Sequence, residues 1–334
     1  MSDLRAEARL QFAREHLRKP LQIEVASADA SFRSYWRAND GASTWIVMDA
    51  PPEQESIAAW LDIGARLHRA GLHTPDVLAT DLQHGFVLLE DLGTRTYLPE
   101  LNDGTADALY ADACAALARM QDVDTDGLPH FDRAQIVMEL ELMPEWFLRR
   151  HLGFAPSCAQ WDVVEAAFTF LIHAALEQPR CFMHRDYHSR NLMITAANNP
   201  GIIDFQGAML GPLTYDIASL LRDCYIVWPR ERVTSWLEHY RSRFAADIDA
   251  IVFRRWFDLV GLQRHIKVLG IFCRLWYRDG KSGYLADLPR VLDYVLGVAH
   301  GYPELQDFAA LLKHAVGARD IRIPNSESQI PASA

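Results

Sequence analysis

The chain has 334 residues, half of them hydrophobic and 23% charged, with a net charge of -11. It is long enough for about two domains, too apolar for disorder, and too acidic for a general affinity for nucleic acid or anionic membrane. Only four of its 33 basic residues are lysines (Lys19, Lys267, Lys281 and Lys313), so every permanent cation between Lys19 and Lys267 is an arginine. The five cysteines form no CxxC pair and sit mostly in apolar runs, the usage of buried thiols in a reducing compartment. The charged start, MSDLRAEARLQFAREHL, lacks an apolar h-region. No apolar run reaches the ~20 residues that a membrane span needs. A soluble cytoplasmic protein is expected.

Residues 3–18 place Leu4, Ala8, Phe12 and Leu17 at helical spacing. Three strand-like runs follow at 22–26, 32–37 and 44–48, separated by turn formers such as Asn39-Asp40-Gly41. Pro51-Pro52 breaks the chain, and residues 53–70 carry Ile57, Trp60, Leu61, Gly64 and Leu67 on one helical face. Runs at 77–79 and 86–89 read as two more strands, and Glu90-Asp91-Leu92-Gly93 as a polar connector. Beyond it the periodicity is helical over 104–121, 134–150, 160–178, 214–223, 229–245, 250–277 and 286–299. Residues 181–206 differ, because short apolar runs alternate there with dense polar chemistry. The tail, 319–334, is polar and contains proline, and is expected to be disordered. The predicted organisation is an α+β chain: a sheet lobe over 1–93, a helical lobe over 94–318, and a ligand cleft between them.

The chemistry concentrates in His184-Arg185-Asp186-Tyr187-His188-Ser189-Arg190-Asn191, followed by Asp204 in Ile202-Ile203-Asp204-Phe205-Gln206-Gly207. Phosphoryl transfer from ATP needs a carboxylate to receive the acceptor's proton and hard oxygen ligands for Mg²⁺. Asp186 fits the first task, and Asn191 and Asp204 the second. His184 is expected to brace the loop through backbone contacts. His188 and Arg190 flank the base and are candidate acceptor contacts, with loop bracing as the alternative.

HxDxxxxN followed by a DFG-like aspartate resembles the aminoglycoside phosphotransferase and choline kinase family over about residues 20–300, including the stretches LLEDLG and GPLTYDIASLL. The resemblance implies a protein-kinase-like bilobal fold. It implies ATP and Mg²⁺ as cofactors, nucleotide contacts from Ser31, Phe32, Arg33, Met48, Glu90 and Leu92, and a structural Asp216 bracing the catalytic loop. ASADASFRSYWR, IVMDAPP and LQRHIKVLGIFCRLWYRDGK look like one branch, the anomeric kinases of cell-wall recycling, which phosphorylate C1 of N-acetylmuramic acid and N-acetylglucosamine.

The pattern departs from the family in one place. Met48 stands where the family has a phosphate-binding lysine on the third strand, and no GxGxxG loop precedes it. Arg33 or Arg37 could clamp phosphate instead, since guanidinium geometry suits it. Glu55 would pair with an arginine or face water. On the acceptor side, residues 253–282 carry seven cations, Arg264, Lys267 and Arg274 among them, against Asp258 and Asp279. That balance disfavours a cationic acceptor and favours one with a carboxylate, unless the arginines merely snorkel into water. A kinase of another small alcohol and a non-catalytic nucleotide-binding protein remain as alternatives.

Overall fold

The strand-like runs at the start of the chain pair as one antiparallel sheet. In the computed structural model, which describes residues 2–28, 33–54 and 56–325, the strands are β1 (Gln22–Ala28), β2 (Ser34–Asn39), β3 (Thr44–Asp49), β4 (Val77–Asp81) and β5 (Phe86–Glu90). Their order is β1-β2-β3-β5-β4. The helix α1 (Ser2–Leu17) buries Phe12 and Ala13 against Val47, Phe86 and Leu88 of the sheet. Arg5 and Arg9 fix it there through Asp49, at 2.6 and 2.8 Å. The next helix, α2 (Ala58–Arg69), starts five residues later than its periodicity suggests. Residues 51–54 form a turn first, as the two prolines dictate.

These elements belong to a compact unit of residues 1–124 and 190–207. The returning segment enters through paired strands Leu192–Met193 and Gly201–Ile202. Isolated bridges join them to the earlier chain at His73↔Gly201 and Thr96↔Met193. The unit therefore extends past the expected boundary near residue 93, because pairings between distant parts of the sequence define it.

The second unit comprises residues 125–189 and 208–334. Its helices include Arg133–Leu140, Cys158–Leu176, Tyr215–Leu221, Arg230–Phe244, Ala250–Tyr277, Leu288–Ala299 and Gln306–Val316. A capping box at Ser157 and Gln160 starts the second of these, and the Asp249 carboxylate starts the fifth. The expected helix over 134–150 is two pieces: Met143–His151 is wound as a π-helix, with Pro144 in its first turn. The fifth helix, of 28 residues, is buried on every side from Leu259 to Gly270. Gly270 permits this, since a Cβ there would come within 2.4 Å of the Leu142 backbone. Arg264 and Lys267 are thus interior residues, and the snorkelling expected of an amphipathic helix does not apply to them. A short sheet pairs Arg180–Met183 with Met209–Pro212.

The tail is ordered as far as it is described. Ile321 is buried, its carbonyl meets His151 Nε2 at 2.7 Å, and the Asn325 amide donates to Tyr277 Oη at 2.8 Å. This corrects the expectation of disorder for 319–325; residues 326–334 lie outside the described residues. All five cysteines are free thiols. Among the described residues no helix is long and apolar enough to cross a membrane.

Candidate active site

The first unit holds a cavity of about 400 Å³ whose lining residues all come from that unit. Ile46, Leu89, Leu92 and Met193 give it apolar walls, and Arg190, Asn191 and Asp204 give it a polar end. Of the expected nucleotide contacts, Glu90 and Leu92 line it. Met48 is fully buried and is not among its lining residues. Arg33 is buried too, with Nη2 3.9 Å from Asp204 Oδ1. Ser31, Phe32 and Glu55 lie outside the described residues. Arg37 lines the cavity and is tied within it: it grips Asp91 with two nitrogens, at 2.6 and 3.1 Å, and the Gly93 carbonyl at 3.1 Å. That tie fixes the connector after β5 and occupies the Arg37 guanidinium; Arg33 is not among the lining residues but is the cation beside Asp204.

Asp204 has φ +61°, a left-handed backbone costing on the order of 1–3 kcal/mol for a residue other than glycine. Packing offsets this: the ring of Phe205 lies 5.0 Å from Trp60, and a Cβ on Gly64 would meet it at 3.2 Å. Helix α2 thereby holds the turn that aims Asp204. The Asn191 amide lies 3.4 Å from Asp204 Oδ2, and the Ile203 N–H donates to the Asn191 carbonyl at 3.1 Å. Gln206 Nε2 donates to Asp204 Oδ1 at 2.6 Å. Two neighbouring hard-oxygen side chains suit an ion that keeps waters and takes its other ligands from phosphates. They do not suit a self-sufficient metal cage. Among the described residues no group of three or more His, Cys, Asp or Glu could form such a cage.

In the second unit the Asp186 loop is built on charge. The Asp216 carboxylate accepts the His184 and Arg185 N–H groups at 2.6 and 2.9 Å, holding Arg185 at φ +79°. Burial pushes Asp216 up to about 7 against those two donors. His184 is fully buried, and its Nδ1 accepts the Asp186 N–H at 3.3 Å, which makes Nδ1 the unprotonated nitrogen. At the end of the loop, Ser189 donates its N–H and hydroxyl to Asp223, which also accepts the Tyr225 N–H. The His188 ring stands edge-on to Tyr225 at 5.5 Å.

Asp186 itself is partly buried. Burial alone would raise its pKa, but Lys267, His188, Arg264 and Arg185 outweigh that and hold it down to about 2. Two of these cations share one counter-ion. The Glu139 carboxylate accepts from Arg185 at 2.7 Å and from Lys267 at 3.0 Å, and Lys267 also reaches Tyr215 Oη at 3.3 Å. Lys267 is therefore an internal charge in a buried network that also acts on Asp186. Arg274 is only half-buried, and burial followed by neighbouring Arg278 lowers its pKa. Arg190 is exposed and lines the cavity of the first unit, so it belongs with Asn191. Glu139, Asp223 and the Trp60–Phe205 contact went unnoticed in the sequence. Each lies 34 to 145 residues from its partner, with no spacing rule to mark it.

A carboxylate kept anionic and a cavity ending in two hard-oxygen side chains are parts that phosphoryl transfer requires. The same parts lie on a chain matching the phosphotransferase enzyme family over residues 22–253, and the chain belongs to that family. Among solved structures, it resembles the choline kinase LicA from Streptococcus pneumoniae. The TM-score is 0.63 at 13% identity, over 87% of this chain and 99% of that one, and it shows the shared α+β, kinase-like fold. Two relatives are nearer in sequence, and both are named N-acetylmuramate/N-acetylglucosamine kinase. The protein from Pseudomonas aeruginosa is 44% identical over 88% of both chains. The one from Neisseria meningitidis is 38% identical over 91% of this chain and 93% of its own.

Proposed function

We propose that this protein is an ATP- and Mg²⁺-dependent cytoplasmic kinase that phosphorylates the C1 hydroxyl of N-acetylmuramate or N-acetylglucosamine. The names of the relatives supply the two sugars. The observation that carries the reaction is Asp186, a carboxylate held anionic among buried cations. Asp186 would accept the proton of the acceptor hydroxyl as that oxygen attacks the γ-phosphorus and the bond to the β,γ-bridging oxygen breaks, leaving ADP. A base of such low pKa is weak, which suits the anomeric hydroxyl, the most acidic on the sugar. Catalysis then rests on positioning and charge neutralisation.

Asn191 and Asp204 would hold the Mg²⁺, which supplies charge neutralisation at the phosphates. Arg33, buried beside Asp204, would supply the cation that Met48 cannot. The base and the metal ligands sit on different units, yet Asp186 and Asn191 are only five residues apart in the chain. Purified protein with ATP, Mg²⁺ and a panel of sugars and small alcohols tests the reading, with the phosphate position assigned by ³¹P NMR. Phosphate on C1 of an amino sugar is the expected product; transfer to another position or another class of alcohol would overturn it.

A further inference from the structure

Arg264 is 3% exposed, in the middle of the buried helix Ala250–Tyr277. Its Nη1 is buried with no hydrogen-bond partner, and among the described residues the guanidinium makes no ion pair. Asp186 and Asp223 offset its burial through space, but no carboxylate among the described residues hydrogen-bonds the guanidinium, whereas the other interior cations bond one directly. Lys267 and Arg185 share Glu139, and Arg222 pairs with Asp258. Arg264 lies three residues before Lys267, hence on the same helical face. Lys267 meets Tyr215, whose neighbour Asp216 holds the backbone that presents Asp186. The charges of Arg264 and Asp186 act on each other as well. The nucleotide cavity is lined wholly by the first unit, whereas Arg264 belongs to the second, with the base. The group that completes Arg264 therefore comes with the acceptor.

Resting on the kinase reading above, we propose that Arg264 is a specificity-determining residue that receives the carboxylate of the acceptor. The two candidate sugars differ in this group alone: N-acetylmuramate carries a lactyl ether ending in a carboxylate, and N-acetylglucosamine does not. A planar guanidinium can take both carboxylate oxygens, and a buried charge-assisted contact of this kind is stronger than a neutral one. Arg264 thus rewards the acidic sugar and rejects polycationic alcohols.

The test compares N-acetylmuramate, its lactyl methyl ester and N-acetylglucosamine as acceptors for the wild-type chain, Arg264→Met and Arg264→Lys. In the wild type the acid is expected to exceed its ester in kcat/KM. In Arg264→Met that acid-to-ester ratio should fall about 10- to 100-fold, mainly through KM, with Arg264→Lys in between. Equal losses for all three acceptors, or losses confined to kcat, would show that Arg264 acts on Asp186 or on folding, and would overturn the assignment. If Arg264→Met does not melt cooperatively, the wild-type ratio and Arg264→Lys decide, and a wild-type ratio near one overturns it. Transfer without any preference for the acid defeats only the role of Arg264. No transfer to any of the three defeats the kinase reading and this inference together.

Discussion

The carboxylates of Asp186 and Asp216 lie in one network and are driven in opposite directions. Interior cations hold Asp186 down to about 2, whereas burial lifts Asp216 to about 7. Asp186 is therefore ionised throughout the physiological range. Its folded pKa lies below the unfolded one, so its contribution to stability is complete above about pH 4 and is lost as pH falls towards 2. In Asp216→Asn, which removes the group near 7, kcat/KM should show no acid limb between about pH 5 and 7. A limb there would mean that the base titrates in that range. Arg33 is tested separately. Arg33→Ala should raise KM for ATP about tenfold or more, as loss of a charge-assisted phosphate contact does. An unchanged KM would remove it from the nucleotide site. Asp186 and Asn191 stand out in the sequence because one loop fixes their spacing, and Asp204 because it follows a short strand. Arg37 was harder to place, because its partner Asp91 lies 54 residues on and only the pairing of β2, β3 and β5 brings them together.

At the level of the element, the helix Ala250–Tyr277 organises the second unit. Its length could be read from periodicity, but its burial could not, because cations in a helix usually mark an exposed face. Here Glu139, from the helix Arg133–Leu140, neutralises two of the cations around Asp186. Glu139→Gln would leave Arg185 and Lys267 buried without that counter-charge. The expected loss is about 3–5 kcal/mol, read from urea or thermal unfolding. A loss below about 1 kcal/mol would mean that water already screens the pair. The π-wound segment Met143–His151 hid inside a plausible helical pattern, and its packing beside Gly270 shows why that helix cannot simply continue. The strand Met209–Pro212 was missed for a different reason. It is four residues long, contains glycine and proline, and pairs with a strand 29 residues earlier.

For the molecule as a whole, the sequence suggested a single cut near Gly93, whereas the contacts draw three, at 124/125, 189/190 and 207/208. A reading along the chain shows that residues 181–206 differ in pattern, but not that part of them returns to the first unit. The division has a measurable consequence. Because the cavity proposed for the nucleotide is lined by the first unit and Asp186 is on the second, binding and turnover should separate. Asp186→Ala should abolish transfer yet keep the stabilisation by MgATP, about 2.7 kcal/mol at a hundredfold excess over Kd, seen as a rise in Tm. Loss of the shift together with activity would place Asp186 in nucleotide binding.

The shortage of lysine also has a bearing on chemical labelling. Within residues 1–124 and 190–207 the only lysine is Lys19, and it is not among the residues lining the cavity. A nucleotide whose terminal phosphate carries an acylating group finds no amine there to capture. Intact-mass spectrometry should show the protein unmodified by such a reagent while the same reagent still competes with ATP. Surveys that count kinases by an acylated cavity lysine would pass over this enzyme even while it is turning over.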